Sequence, residues 1–588
     1  MPLEQNKKGM KFYMIKLNID GKDIEVEEGT TVLEAARKIN IDIPTLCYMK
    51  NINEIGDCRM CLVEIEGRRN LVASCVQKAE EGMVVRTNTE KIYNARKTML
   101  QLILSEHNRS CLSCTRNGNC ELQKLAIQFN IDDLEYDGNK NGIIDELSPS
   151  LVRDTSKCVL CKRCVAVCKN VQGVSAISVA GRGNNSRISC AFDNSINESN
   201  CTLCGQCIEA CPVGALKEKD SIKELREKLN NKDLYVVVQT APAVRVALGE
   251  EFGIKIGTNI TGKMVSALKR LGFDRVFDTN TGADITIMEE GTEFIQRIKN
   301  NGVFPMITSC SPGWINYIEI NYPELLQHLS SCKSPHEMFG ALIKSYYAEK
   351  EKIDPKKIVV VSVMPCIAKK YEAKREELKN NNLANVDIVI TTRELARLIK
   401  QNNIDFINLE DEKFDSPMGE ATGAAAIFGT TGGVMEAALR TVEEILTGKE
   451  LEKVEFKQVR GAEGIKEATL NINGRNINIA VAHGLKNAKI IMEEIKMGKS
   501  KYHFVEIMAC PGGCVMGGGQ PIHSSKEREL IDIRSLRANA LYTIDEKSVI
   551  RKSHENPVLQ KIYKEYLGEP GGHKAHELLH TNYFRRFN

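Results

Sequence analysis

Two runs of the form CxxCxxCxxxC, first Cys158, Cys161, Cys164 and Cys168, then Cys201, Cys204, Cys207 and Cys211, restrict this chain more than any other feature. Eight thiols at these offsets, the last followed by Pro212, form the pattern in which the fourth cysteine of each run serves the cluster of the other. Cys158, Cys161, Cys164 and Cys211 are therefore expected to hold one 4Fe-4S cluster, and Cys168, Cys201, Cys204 and Cys207 another. The chain segment between them must fold back so that the two runs face each other. This fixes a unit over residues 146–221 as a ferredoxin-like two-cluster domain.

Of the 21 cysteines in 588 residues, 16 lie at or before Cys211, nearly all in tight groups. A chain of this length needs no disulfide staples, so clustered thiols point to metal. In residues 1–90, MIKLNIDGKDIEVEEGTTVLEAARKI predicts a hairpin and a helix capped at Thr30 or Thr31. Cys47, Cys58, Cys61 and Cys75 follow, the last three flanking the strand-like LVEIEG. Four zinc-binding thiols would give the same count, but a small sheet and helix around them suit a 2Fe-2S domain better than a zinc ribbon. Residues 91–145 hold a helix, IYNARKTMLQLILSEH, and then His107, Cys111, Cys114 and Cys120. A lone histidine near a helix end is usually a cap or a surface residue. With three thiols at fixed offsets, the better reading is a 4Fe-4S cluster held by one imidazole and three thiolates. Exchanging a thiolate for neutral imidazole makes such a cluster less negative and raises its potential. Residues 137–150 read as a linker. Cys190 is left over and is expected to be a small buried hydrophobe.

From residue 222 to about 523 the cysteines thin out and an α/β pattern sets in. LYVVVQTAP, IVVVSVMPC and VDIVITTREL read as buried parallel strands followed by turns and helices. Cys310 in TSCSPGW and Cys366 in MPCIAKK each stand just past such a strand. Cys510 and Cys514 stand in IMACPGGCVMGGGQP, at the carboxyl end of the strand-like Tyr502–Met508, where open α/β sheets place ligands. The fold class is thus multidomain α+β and α/β, with N-terminal cluster domains preceding a large α/β domain. The tail, 524–588, is helical and polar, and His573, His576 and His580 at near-helical spacing are expected on a solvated face. A net charge of +3 and 27% charged residues leave no global field for nucleic acid or membrane. No apolar run reaches the roughly 20 residues that span a bilayer. The start, MPLEQNKKGMKFYMIKL, lacks a signal-peptide hydrophobic region, so a cytoplasmic location is expected.

TSCSPGW, MPCIAKK and EIMACPGGCVMGGGQP resemble the three signature motifs of the FeFe-hydrogenases, and the likeness to the long monomeric type runs from Met14 to His580. The resemblance implies an H-cluster: a 4Fe-4S cubane joined through one cysteine to a two-iron unit with carbonyl, cyanide and azadithiolate ligands. Carried over by motif, Cys366 and Cys510 would hold the cubane and Cys514 would link it to the two-iron unit. Lys369 would donate to a cyanide, and Pro242, Met364, Phe428 and Met508, with Ser334, would complete the cofactor-binding wall. Residues 524–588 would correspond to the hydrogenase small subunit. Four accessory clusters are implied in all, one 2Fe-2S and three 4Fe-4S.

The first motif departs from the family pattern. Where many relatives have two adjacent cysteines, relay first and cubane ligand second, this chain has Cys310 and Ser311. Strict alignment makes Cys310 the proton relay and puts serine at a ligand position, whereas the preference of iron for thiolate would make Cys310 the ligand. The sequence leaves both readings open. Cys332, in SSCKSP, has no spacing that marks it as a ligand. Ala243 replaces a serine that in relatives contacts cyanide. Glu290 and Glu293, with Ser330 and, at the outer end, Arg297, match the family's proton path, and acidic residues three apart point to one side of a helix. The activity implied is reversible reduction of protons to dihydrogen, with ferredoxin as electron partner and hydrogenase maturases supplying the two-iron unit. No GxGxxG follows a strand, so direct reduction of a nicotinamide is not expected. The rival readings are a hydrogen sensor or an iron-sulfur assembly factor on this scaffold, and a non-catalytic electron-transfer subunit like that of respiratory complex I. The first 212 residues do not discriminate against the last of these; the three motifs do.

Overall fold

The computed structural model describes residues 13–138, 142–451, 453–461, 463–472 and 474–586. The first twelve residues and the middle of the 137–150 linker lie outside them. At the start of the described chain, period-two alternation in MIKLNI and KDIEVE buries Leu17, Ile19 and Val26 on one face. The two strands pair antiparallel from Met14↔Glu27 to Ile19↔Lys22. Asp20 and Gly21, both at positive φ (49° and 82°), make the turn that matches the twist of the strands. Thr31, not Thr30, caps the helix Val32–Lys38, and Glu34 returns the bond in a capping box. Met83–Arg86, Leu62–Ile65 and Val72–Ala73 complete a five-stranded sheet.

The two cysteine runs fold as a pseudo-repeat. Leu160 and Leu203 stand at matching positions with φ of 51° and 58°, and Lys162 and Gly205 with φ of 61° and 76°. Each run then enters a short helix, Arg163–Ala166 or Gln206–Ala210. Lys162 shows that a side chain is tolerated at this left-handed position. At Gly205 it is not, because a Cβ there would lie 2.9 Å from Ile367 and 3.0 Å from the Gly518 backbone. The second run is packed directly on the motif loops of the α/β half, and Gln206 and Gln172 donate to the carbonyls of Met516 and Ala509.

The α/β half is built on two sheets rather than one. Arg275–Asp278, Tyr235–Thr240, Ile358–Met364 and Ile388–Thr391 form an all-parallel sheet in that spatial order. Its central strand IVVVSVM is buried throughout, as a sheet covered on both faces requires. In the second sheet Met306–Ile307, Phe504–Met508 and Arg475–His483 run parallel and Ile465–Ile472 pairs antiparallel at the edge. The long helix Thr279–Lys299 packs against the helices Pro335–Leu342 and Gly433–Thr447. The tail returns over this half, and several of its charged residues are buried in ion pairs rather than solvated. Asp545 and Arg440 meet at 2.8 Å with both side chains fully buried, and Arg537 is buried against Glu250. No helix among the described residues is long and apolar enough to cross a membrane.

Candidate active site

Strands of both sheets run toward one cavity. Beyond Tyr235–Thr240 lie Pro242 and Ala243; beyond Ile358–Met364, Cys366; beyond Met306–Ile307, Cys310 and Ser311; beyond Phe504–Met508, Cys510 and Cys514. All of these residues line the cavity, with Lys369 and the apolar Met364, Phe428 and Met508. Sulfur from three separate loops therefore shares one chamber. Ser334 is the exception: it is buried with an unpartnered hydroxyl, while its neighbours Pro335 and His336 form the wall. Thr279, Ala283 and His336 also line it, and the sequence does not single them out, because they come from helices whose pattern shows only burial.

One basic group reaches this apolar wall. Lys369 Nζ donates to Glu372 Oε2 at 2.6 Å and to the Cys310 carbonyl at 3.2 Å. His336 Nε2 lies 2.6 Å from the same Glu372 oxygen. Burial and the nearby Lys369 charge hold His336 down at about 4, so the ring is neutral. Glu372 has no motif to mark it; its position three residues after Lys369, in AKKYE, is the one signal of the pairing. Burial pushes the Cys310 and Cys510 thiols well above their usual value, and Cys514 to about 12. Thiols this buried, with Lys369 as their cation, suit a positively charged iron centre that would hold them as thiolates. The donor set and the dry wall fit a bulky sulfur-ligated cofactor.

Cys310 and Ser311 diverge. Burial apart, the charges that act most on the Cys310 thiol are Glu290 and then Cys514, whereas Cys510 is surrounded by Cys366, Cys204 and Cys514. Ser311 Oγ instead accepts from the Ala509 amide, next to Cys510, at 3.2 Å. Both residues line the cavity; Ser311 is tied by this bond to the loop of Cys510, while the Cys310 thiol lies within reach of the Glu290 and Cys514 charges.

Outward from Cys310, Glu290 is fully buried and neither carboxylate oxygen has a well-formed hydrogen bond. Burial and then the charge of Glu293 raise it to about 8, only partly offset by the nearby Ser330 hydroxyl and Ser309 amide. Glu293 Oε2 accepts from Ser330 Oγ at 3.0 Å and from the Ser331 amide at 3.0 Å, and its Oε1 pairs with Arg297 at 2.6 Å. Arg297, Glu293 and Ser330 are thus bonded in series, and Glu290 lies near Ser330 without a hydrogen bond to it.

Inward, Cys204 lines both this cavity and a second one formed with Cys168, Cys201 and Cys207. A third is lined by Cys158, Cys161, Cys164 and Cys211. The grouping by space is the one that crossing of the two runs requires. Asn53 donates to the carbonyls of Cys47 and Cys161, joining the N-terminal thiols to the third group. Among those thiols, Cys61 and Cys75 approach to 3.3 Å and burial encloses all four. Cys114 lies against Gly214, where a Cβ would come within 2.5 Å of its sulfur. His107 is buried, and its Nδ1 has no partner, as an uncommitted ligand nitrogen would be. Cys190 is buried beside these groups.

Five family models match in sequence order: a 2Fe-2S iron-sulfur cluster binding domain at 13–90; the NADH-ubiquinone oxidoreductase-G iron-sulfur binding region at 96–135; the ferredoxin-like domain of NADH-quinone oxidoreductase subunit 3 at 148–217; the C-terminal domain of the iron only hydrogenase large subunit at 234–518; and the iron hydrogenase small subunit at 531–586. The chain is 48% identical over 586 residues to the NADP-reducing hydrogenase subunit HndD of Solidesulfovibrio fructosivorans, covering 97% of this chain and 99% of that one. It is 46% identical to iron hydrogenase 1 of Clostridium pasteurianum, covering 96% and 99%. Among solved structures, the apo FeFe-hydrogenase HydA1 from Chlamydomonas reinhardtii matches with a TM-score of 0.56 at 44% identity, over 62% of this chain and 99% of that one.

Proposed function

The chain belongs to the FeFe-hydrogenases, and on that premise we propose that it reversibly reduces protons to dihydrogen with electrons from ferredoxin. That it is an oxidoreductase acting on hydrogen, with 2Fe-2S, 4Fe-4S and H-cluster domains, follows from the family itself. The observation that carries the finer reading is the meeting of Cys366, Cys510, Cys514, Cys310 and Lys369 at one cavity beside a buried acid.

Cys366, Cys510 and Cys514 would hold the H-cluster, which when bound supplies the redox centre at which protons, electrons and dihydrogen are interconverted. Lys369, fixed by Glu372, presents a charged donor to it. Pro242, Met364, Phe428 and Met508 keep water from that wall and lower the local dielectric. Cys310 is assigned the innermost relay position, because it lines the cavity while the buried Glu290 of the long helix lies near its thiol. Ser311 would then be left as the fourth residue to hold the cubane. A proton moves by Glu293, Ser330 and Glu290 to the Cys310 thiol, with Arg297 holding Glu293 at the outer end. Glu290, near neutrality at about 8, can be loaded and unloaded at working pH.

We further assign one 2Fe-2S cluster to Cys47, Cys58, Cys61 and Cys75, and a 4Fe-4S cluster each to His107 with Cys111, Cys114 and Cys120 and to the two crossed groups. Two inlets, the N-terminal thiols and the His107 group, would feed the Cys158 group, and Cys204 would pass electrons to the cavity. The five units would be 1–90, 91–145, 146–221, 222–523 and 524–588. The cytoplasm is the compartment assigned, with maturases supplying the two-iron unit.

The likeness to one component of an NADP-reducing hydrogenase supports a second reading, in which the electron partner is a separate nicotinamide-reducing chain. Hydrogen evolution by the loaded chain, driven by reduced ferredoxin and in parallel by reduced viologen, separates the two. Turnover with ferredoxin supports the first. Turnover with viologen but not ferredoxin supports the second. No turnover, with infrared bands that shift under hydrogen, would mean a sensor.

A further inference from the structure

Two features with no sequence role, Cys332 and the tail histidines, meet at the relay. His580 is not on a solvated face; it is 8% exposed. Its Nε2 lies 3.0 Å from Glu289 Oε2, a carboxylate that also accepts from the Tyr563 hydroxyl and the Gly571 amide. Against an ionised Glu289, Nε2 carries a hydrogen, and Nδ1 then holds a lone pair in the neutral ring or a second hydrogen in the imidazolium. That nitrogen is 2.8 Å from Ser331 Oγ. The same hydroxyl is 3.1 Å from Glu293 Oε2, so one hydrogen has two acceptors, a ring nitrogen and a relay carboxylate. Exposed His576 stacks on the His580 ring with centroids 4.6 Å apart and planes 8° from parallel.

Arg297, the outermost relay residue, is ion-paired with Glu293, and a guanidinium does not give up its proton in a protein. It can position Glu293 but not supply it. We propose that His580, acting through Ser331, is a proton donor and acceptor for Glu293, forming a second inlet to the relay beneath the C-terminal tail. In the tautomer with hydrogen on Nδ1, a proton taken up at Nε2, on the Glu289 side, makes the ring imidazolium. The Nδ1–H bond then breaks toward Ser331 Oγ as the original Ser331 O–H bond breaks toward Glu293. One proton moves from ring to carboxylate, and the hydroxyl is restored. The groups facing the ring are Glu289, Glu293, the Cys332 thiol at 4.0 Å, Tyr563 behind Glu289, His576, and Arg297 beyond Glu293.

The inference rests on Glu293 being a relay residue, and the test separates the two. In the loaded full chain, His580→Gln keeps a hydrogen-bonding side chain that cannot be protonated, and His580→Ala opens space for free imidazole. Hydrogen turnover is expected to fall roughly threefold or more in both, with an altered pH profile, and imidazole is expected to rescue His580→Ala; general acid-base catalysis as a whole is worth about 10²–10⁴, and one of two parallel inlets only part of that. Independently of turnover, hydrogen–deuterium exchange at the imidazole C2 reports protonation of His580, and Glu293→Gln is expected to lower its midpoint by removing a negative charge. Parental rates and pH profile in His580→Gln, or a midpoint unmoved in Glu293→Gln, would overturn the inlet while a slow Glu293→Gln enzyme leaves the main relay intact. Parental turnover in Glu293→Gln would overturn both.

Discussion

Lys369 and Glu372 are paired at 2.6 Å one turn apart on a short helix, with side chains only 11% and 7% exposed. The pair sits where a charge is most costly, at the rim of an apolar cavity. Burial raises Glu372, but Lys369 and His336 more than reverse this and bring it to about 2. Glu372→Gln removes the counter-charge and leaves the ammonium buried, which costs about 3–5 kcal/mol. The denaturation midpoint of the variant should fall accordingly. Removing Glu467 from its exposed pair with Lys501, where it also accepts from the Tyr502 hydroxyl, should move the midpoint far less, because water already screens that pair. The contribution of Glu372, whose folded value lies below its unfolded one, is present above the unfolded carboxylate range and is lost as pH falls through about 2.

Glu290 carries the second prediction. Burial holds it protonated below about 8, and nothing in its surroundings shares its oxygens firmly. Glu290→Gln keeps the shape and removes the transferable proton. Turnover should fall by roughly 10²–10⁴ in both directions, while iron content and the infrared spectrum of the loaded enzyme stay at parental values. A loss of cofactor in this variant would instead make Glu290 structural.

The thiol and hydroxyl of the first motif can be separated by exchange. Cys310→Ser should abolish turnover by removing the innermost relay thiol, yet leave the cubane signal in electron paramagnetic resonance unchanged. Ser311→Cys should change that signal and shift the cubane potential, because a thiolate differs from a hydroxyl in charge and softness. The reverse assignment predicts loss of the cubane in Cys310→Ser and no spectroscopic change in Ser311→Cys.

Much of this was legible because thiol spacing is a strong code. The crossing of the two runs, the caps and hairpin of the first domain, and the convergence of the three motifs all follow from local pattern. What stayed hidden depends on contacts distant in sequence. The division of the α/β half into two sheets has no signature, since buried parallel strands look alike whichever sheet they join. His580 lies 249 positions from Ser331, and a histidine on a polar tail reads as solvated until its partner is seen. Glu372 and His336 were similarly mute, because a charged residue on a short helix is usually a surface residue.

Asp284, in the long helix Thr279–Lys299, gives a prediction about stability and pH. Its carboxylate is fully buried and accepts from the Thr422 amide, the Thr422 hydroxyl and Asn556 Nδ2 at 2.6–3.0 Å, tying that helix to the loop before Gly423 and to the tail. Burial raises it to about 6, against the pull of these donors. Because the folded value lies above the unfolded value of about 3.9, the folded state binds more protons between the two. This contribution is therefore full below about pH 4 and is lost as pH rises toward about 6. Asp284→Asn turns one acceptor oxygen into a donor facing donors and should cost about 1–3 kcal/mol. It should also flatten the pH dependence of the unfolding midpoint between about pH 4 and pH 6, measured against the parental chain. A variant whose midpoint keeps the parental slope across that window would show that Asp284 is ionised in the folded chain throughout it.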